Sequence, residues 1–123
     1  MQTGTFQQFM LVGFGGAMGS MLRYAGNLLY APKLFPLTTL LINLLGSLIM
    51  GMVMAWSLRQ PSSDNWKLLI ATGLCGGFTT FSAFSYENLC LLQAGKPILS
   101  ILYVAGSVAG GIVAAWLGYR CLQ

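Results

Sequence analysis

Charge is what this chain has least of. Of its 123 residues only 7% are Asp, Glu, Lys or Arg, and histidine is missing altogether. Soluble domains are about 25% charged, so this chain cannot coat a water-facing fold with ionic groups. The lack of His excludes imidazole metal sites and both Ser-His-Asp and Cys-His nucleophiles. The only acids are Asp64 and Glu87, so a paired-carboxylate mechanism would need both at one site. These exclusions point away from an enzyme. Six Lys and Arg give a net charge of +4, but they are scattered. Nucleic-acid binding needs clustered bases to neutralise phosphates, so no nucleic-acid partner is expected. The three cysteines, Cys75, Cys90 and Cys121, show no CxxC spacing and read as small hydrophobes in apolar runs.

Apolar residues fill the remaining space. They make up 56% of the chain, and the mean hydropathy is +0.74. A bilayer-spanning helix needs about 20 mostly apolar residues. Proline and polar clusters cut the chain into four such runs, at about 6–29, 37–58, 66–92 and 98–122. The breaks are Pro32 to Pro36, the polar stretch Arg59 to Asn65, and Gln93 to Pro97. The first run lacks the basic start of a signal peptide and reads as a retained span. Trp56, Trp66 and Trp116 lie near predicted ends, where indole prefers the interface. The expected fold is therefore all-α and integral to the membrane: one domain, 1–123, of four transmembrane helices with antiparallel neighbours. The lipid around it is its first partner.

The basic residues do not orient this bundle. With four spans, Arg59, Lys67 and Arg120 fall on one side, and Arg23, Lys33 and Lys96 on the other. Three against three gives the positive-inside rule nothing to act on. Such a balance suits a chain that inserts both ways round, and it also suits one oriented by weaker cues. Glycine is abundant, with 16 residues. The pairs Gly15/Gly19, Gly73/Gly77 and Gly106/Gly110 have the four-residue spacing that lets membrane helices approach closely. Four short spans enclose little interior, so an oligomer is expected.

Polar groups at membrane depth are costly and informative. Thr39, Asn43 and Ser47 fall at i, i+4 and i+8, on one face of the second span. Tyr103 and Ser107 repeat the pattern in the fourth, with Ser100 one turn earlier. Any one of them serves equally well as interhelical glue. Two stripes on two spans look like the wall of a polar track. The third span carries Gly76-Gly77-Phe78-Thr79-Thr80-Phe81-Ser82-Ala83-Phe84-Ser85. Paired glycines followed by paired β-branched residues weaken a helix, so the third helix is expected to break at its centre. A break would free carbonyl oxygens, which coordinate cations. The phenylalanines at 78, 81 and 84 present ring edges of partial positive charge. Those edges, with hydroxyl and amide donors beside them, suit a small anion.

Three segments carry a resemblance over essentially the whole chain: Gly-Ala-Met-Gly-Ser-Met-Leu-Arg-Tyr at 16–24, Asn43-Leu-Leu-Gly46, and Gly-Gly-Phe-Thr-Thr-Phe-Ser at 76–82. Together they resemble the bacterial fluoride channels called Fluc or CrcB. The resemblance implies an antiparallel, dual-topology homodimer in the cell inner membrane. It implies two fluoride pores per dimer and passive export that relieves fluoride toxicity. Phe81 and Phe84 match the phenylalanines that hold fluoride by their ring edges. Asn43, Tyr103 and Ser107 match the polar track, and Arg23 matches the vestibule base. Gly76 and Thr79 match positions whose backbone carbonyls hold a structural Na⁺ on the dimer axis. Ala83 departs from the Thr of many members, and Gly111 from the Ser that continues the track in some.

Fluoride is strongly hydrated, so a pore must replace its water with donors. Asn43, the hydroxyls of Thr39, Ser82, Tyr103 and Ser107, and the edges of Phe81 and Phe84 would do so without a full charge that traps the ion. The composition also allows a rival. A small proton-coupled multidrug exporter is another short four-span protein, and it would need Glu87 as its intramembrane carboxylate. A scaffold whose polar stripes are only glue is a third reading.

Overall fold

The computed structural model describes residues 2–60, 62 and 64–123. Pro61 and Ser63, inside the polar connection read from the sequence, lie outside the described residues, as does Met1. Among the described residues five helices make the fold: α1 (Gln2–Leu29), α2 (Leu37–Arg59), α3 (64–78), α4 (Phe81–Gln93) and α5 (Pro97–Cys121). No strand occurs among the described residues. The helix ends fall within a few residues of the boundaries read from the hydrophobic runs.

Three stretches among the described residues are long and apolar enough to cross a membrane: α2, α3 and α4 taken end to end as Asp64–Gln93, and α5. The chain is a multi-pass membrane protein. Helix α1 has the length, at 28 residues, but Gln7, Gln8, Arg23, Asn27 and its glycines dilute its apolar character. Its large apolar side chains are nonetheless exposed, among them Phe9, Phe14, Met21 and Leu28.

The ends of the helices follow from local chemistry. Pro36 precedes α2, and Pro97 opens α5 in the first turn, where a missing N–H costs nothing. The reversal between α4 and α5 uses Gly95 at φ +71°, a conformation that a side chain disfavours. There Gly95 N donates to Leu92 O at 3.1 Å and Lys96 N to Leu91 O at 2.9 Å. This double bond pattern closes the last turn of α4.

Two tight pairs organise the bundle. Helix α1 lies along α3, and α2 lies along α5. Gly15 and Gly19 of α1 back directly onto the carbonyls of Leu69 and Leu74, and Gly77 onto that of Gly16. A Cβ at any of these would strike backbone. Two of the three glycine pairs read from the sequence thus do bring helices together. The third does so in part: Gly106 meets nothing within 4 Å, while a Cβ on Gly110 would lie 2.9 Å from Leu44 Cδ2 of α2. The close contact of α2 with α5 is made by Gly51 on Ala115 O and Gly118 on Leu48 O. Within α3, Leu68–Cys75 is π-helical, a widening the hydrophobic pattern does not signal. Of the cysteines Cys75 is buried within the chain, and Cys90 and Cys121 are exposed on it.

Candidate functional site

The chain does break in the third span, two residues beyond the glycine pair. Gly76–Phe78 remains helical, and Thr79 and Thr80 are extended, with φ/ψ of −80°/155° and −149°/124°. β-Branched side chains favour this extended backbone. The threonines also satisfy its freed groups. Thr79 Oγ1 donates to Cys75 O at 2.7 Å, closing the end of α3. The Thr80 hydroxyl accepts from Ala83 N at 3.3 Å, capping α4.

Asn43 of α2 clamps the break. Its Nδ2 donates to Thr80 O at 3.2 Å, and its Oδ1 accepts from Thr80 N at 2.9 Å. Gly46, one turn further along α2, leaves the room that the Thr79 methyl group fills. Arg23 of α1 reaches the other side of the break, where its Nε donates to Gly77 O at 3.2 Å. Among the described residues no hydrogen bond reaches Gly76 O or Thr79 O.

Beside the break lies a cavity of about 280 Å³. Asn43 and Ser47 form one wall, Phe81 and Phe84 another, and Ser107 a third. No charged side chain lines it among the described residues. Phe81 and Phe84 are adjacent, with ring centroids 5.7 Å apart at 40°. Phe84 is half-buried, whereas Phe81 is 79% exposed on the single chain. Ser107 Oγ is buried and makes no hydrogen bond among the described residues. A buried hydroxyl without a partner is costly, and Ser107 is among the residues that line this cavity.

Thr39 and Tyr103 occupy a second cluster, built on Glu87. Thr39 Oγ1 donates to one carboxylate oxygen and the Tyr103 hydroxyl to the other, each at 2.7 Å. Tyr103 is fully buried, and Thr39 is 4% exposed. The Tyr103 ring meets Phe84 edge-on, with centroids 5.0 Å apart at 67°, and Phe35 at 5.3 Å. Thr39 and Glu87 also line a cavity of about 360 Å³ that carries Lys33 and Lys96. Phe84 is thus common to both clusters: it lines the first cavity and packs edge to face with Tyr103 of the second.

The residues expected from the sequence separate accordingly. Asn43, Phe81, Phe84 and Ser107 meet at one cavity, while Thr39 and Tyr103 bind Glu87 at the other cluster. Ser82 is exposed, with its hydroxyl 3.3 Å from Thr80 Oγ1, and lines neither cavity. Arg23 is held against Gly77 O and lines neither. Glu87 takes two hydroxyl donors. Thr80 and Asn88 are not among the site residues expected from the sequence. Thr80 is the residue Asn43 holds, and Asn88 of α4 is buried, bonded to both Phe84 O and Ser100. An amide within a membrane span was the available signal for Asn88.

Comparison with known proteins decides the family. The profile of the CrcB-like, camphor-resistance (CrcB) proteins matches residues 10–119. The chain belongs to the CrcB family. Its relatives include proteins named fluoride-specific ion channel FluC from Thermus thermophilus and from Leptospira interrogans serovar copenhageni. The first is 44% identical over 117 residues, covering 93% of this chain and 94% of the relative. The second is 48% identical over 119 residues, covering 91% of each. A Rhodococcus jostii protein named fluoride-specific ion channel FluC 2 is 42% identical over 112 residues, covering 90% of this chain and 95% of its own. The CrcB segments quoted above all fall within the matched residues.

Proposed function

We propose that this CrcB protein is a fluoride-selective channel, not an enzyme, that lets F⁻ leave the cell passively across the inner membrane. Relatives of nearly the same length carry that name. The observation that carries the reading on this chain is an uncharged cavity lined by Asn43, Ser107, Phe81 and Phe84, at which Ser107 Oγ is buried with no partner among the described residues. Neutral donors and ring edges can replace water around a small anion without trapping it.

The ion's route runs from that cavity past Phe84 to the Glu87 cluster. Asn43 keeps one amide N–H beyond the one spent on Thr80. Thr39 and Tyr103 spend their single hydroxyl protons on Glu87, so each donates to the ion only as it lets go of that carboxylate. Ser82 and Arg23 act at the approaches, Arg23 by drawing anions toward the break.

The functional unit is an antiparallel homodimer of dual-topology subunits with two pores, in which α1 is the fourth span. Three features support this. The cavity is open where Phe81 stands exposed, so one chain does not enclose it. The exposed apolar side chains of α1 need lipid or a second copy around them. The basic residues divide three and three between the two sides. Gly76 O and Thr79 O fit a Na⁺ site at the junction, because neutral carbonyl oxygens without donors suit a hard cation. When bound there, Na⁺ would supply a fixed positive charge close to the broken helix. The test is efflux of fluoride and of chloride from liposomes holding the purified protein. Rapid fluoride release with retained chloride is expected; failure of folded protein to release fluoride would remove the proposal.

A further inference from the structure

Helix α4 carries the aromatic wall, and on the single chain its backbone lies close to few others. It touches α5 and α2 far less extensively than those two touch each other. Polar bonds fix it. Its start is tied by Asn43 to Thr80, and Glu87 ties it to Thr39 and Tyr103. The remaining rung is Asn88 to Ser100. Ser100 Oγ donates to Asn88 Oδ1 at 2.8 Å, and Asn88 Nδ2 donates to Phe84 O at 2.8 Å. Both residues are buried, Asn88 at 9% exposed and Ser100 at 5%.

We propose that Asn88, held by Ser100, is a positioning residue that sets how Phe84 meets Tyr103 and so sets the anion selectivity of the channel. This rests on the fluoride reading above. Asn88 lies one turn beyond Phe84 on α4, and Ser100 one turn before Tyr103 on α5. The rung therefore joins the two turns that bring the Phe84 and Tyr103 rings edge to face. Neither Asn88 nor Ser100 lines the cavity at Ser107 or the one at Glu87, so the pair acts through Phe84 and not by touching the ion. An ion that competes for the Thr39 and Tyr103 hydroxyls loosens the Glu87 rung as it passes. The Asn88 rung lies outside the route and keeps the register of α4 throughout.

The experiment compares wild type, Ser100→Ala, Ser100→Thr and Asn88→Ala in liposomes, scoring fluoride flux and the fluoride-to-chloride ratio per folded protein. Wild type is measured first. If it passes no fluoride, the channel reading itself fails; if it conducts, the variants judge the rung alone. Loss of one buried hydrogen bond should cut both fluoride flux and the fluoride-to-chloride ratio roughly tenfold in Ser100→Ala. Ser100→Thr, which keeps the hydroxyl, should retain both. A role in stability only would lower the yield and melting temperature of Ser100→Ala and leave its selectivity intact. That result would overturn the proposal, as would a Ser100→Thr variant as unselective as Ser100→Ala. If Asn88→Ala does not fold, the two Ser100 variants still decide.

Discussion

Asn43 bonds both backbone groups of Thr80, donating to its carbonyl at 3.2 Å and accepting from its N–H at 2.9 Å. One side chain thus satisfies a residue that no helix serves, in surroundings where an orphaned backbone group is expensive. Asn43 is therefore part of the frame as well as part of the cavity wall. Asn43→Ala should lower stability by about 2 kcal/mol or more and reduce fluoride flux with it. Thermal melting of the detergent-purified protein, paired with liposome flux, checks this. A variant that melts like wild type would show that the clamp does not hold the break.

Ser107 should behave in the opposite way. Its hydroxyl makes no bond among the described residues, so Ser107→Ala removes a buried polar group and breaks nothing. Stability should hold or rise slightly, while fluoride flux falls roughly tenfold through loss of one donor to the ion. Unchanged flux from a well-folded Ser107→Ala protein would take the cavity out of the ion's route.

Glu87 separates the channel from the rival exporter. In Glu87→Gln one oxygen still accepts, and either the Thr39 or the Tyr103 hydroxyl can turn to accept from the new amide. Fluoride efflux should therefore persist largely intact, and no proton-driven drug transport should be found in the wild type. An exporter would lose all transport with that carboxylate. Efflux assays of both proteins with fluoride and with a cationic dye, under an imposed proton gradient, tell the two apart.

The glycines test the packing. A Cβ on Gly19 would strike Leu74 O, whereas one on Gly106 meets nothing within 4 Å. Gly19→Ala should cost roughly 1–3 kcal/mol through overpacking, and Gly106→Ala should be neutral. Melting curves of the two variants decide this; equal tolerance would mean that α1 and α3 are not in close contact.

What the sequence made legible depended on how local the cause was. The helix limits could be read because proline and polar clusters mark them. The break could be placed near Gly76 and Gly77, but its position at Thr79 and Thr80 depends on Asn43, 37 residues away. The stripe of Thr39, Asn43 and Ser47 was visible as a face, yet its members part company in three dimensions. Thr39 turns to Glu87, while Asn43 and Ser47 border the other cavity. No periodicity could pair Glu87 with two hydroxyls from other helices, since that pairing exists only once α2, α4 and α5 meet. Gly51 and Gly118 lack a second glycine four residues away on the contact, and their small neighbours at that spacing, Ser47 and Ala55 for Gly51 and Ala114 for Gly118, are a fainter signal.

The central claim is that uncharged donors beside Phe81 and Phe84 pass fluoride and exclude larger halides. The most direct measurement is efflux from liposomes carrying the purified wild-type protein, recorded in parallel with fluoride-selective and chloride-selective electrodes. The account predicts rapid fluoride release with chloride retained. Fluoride held inside vesicles that contain folded protein, or chloride released as fast as fluoride, would contradict it.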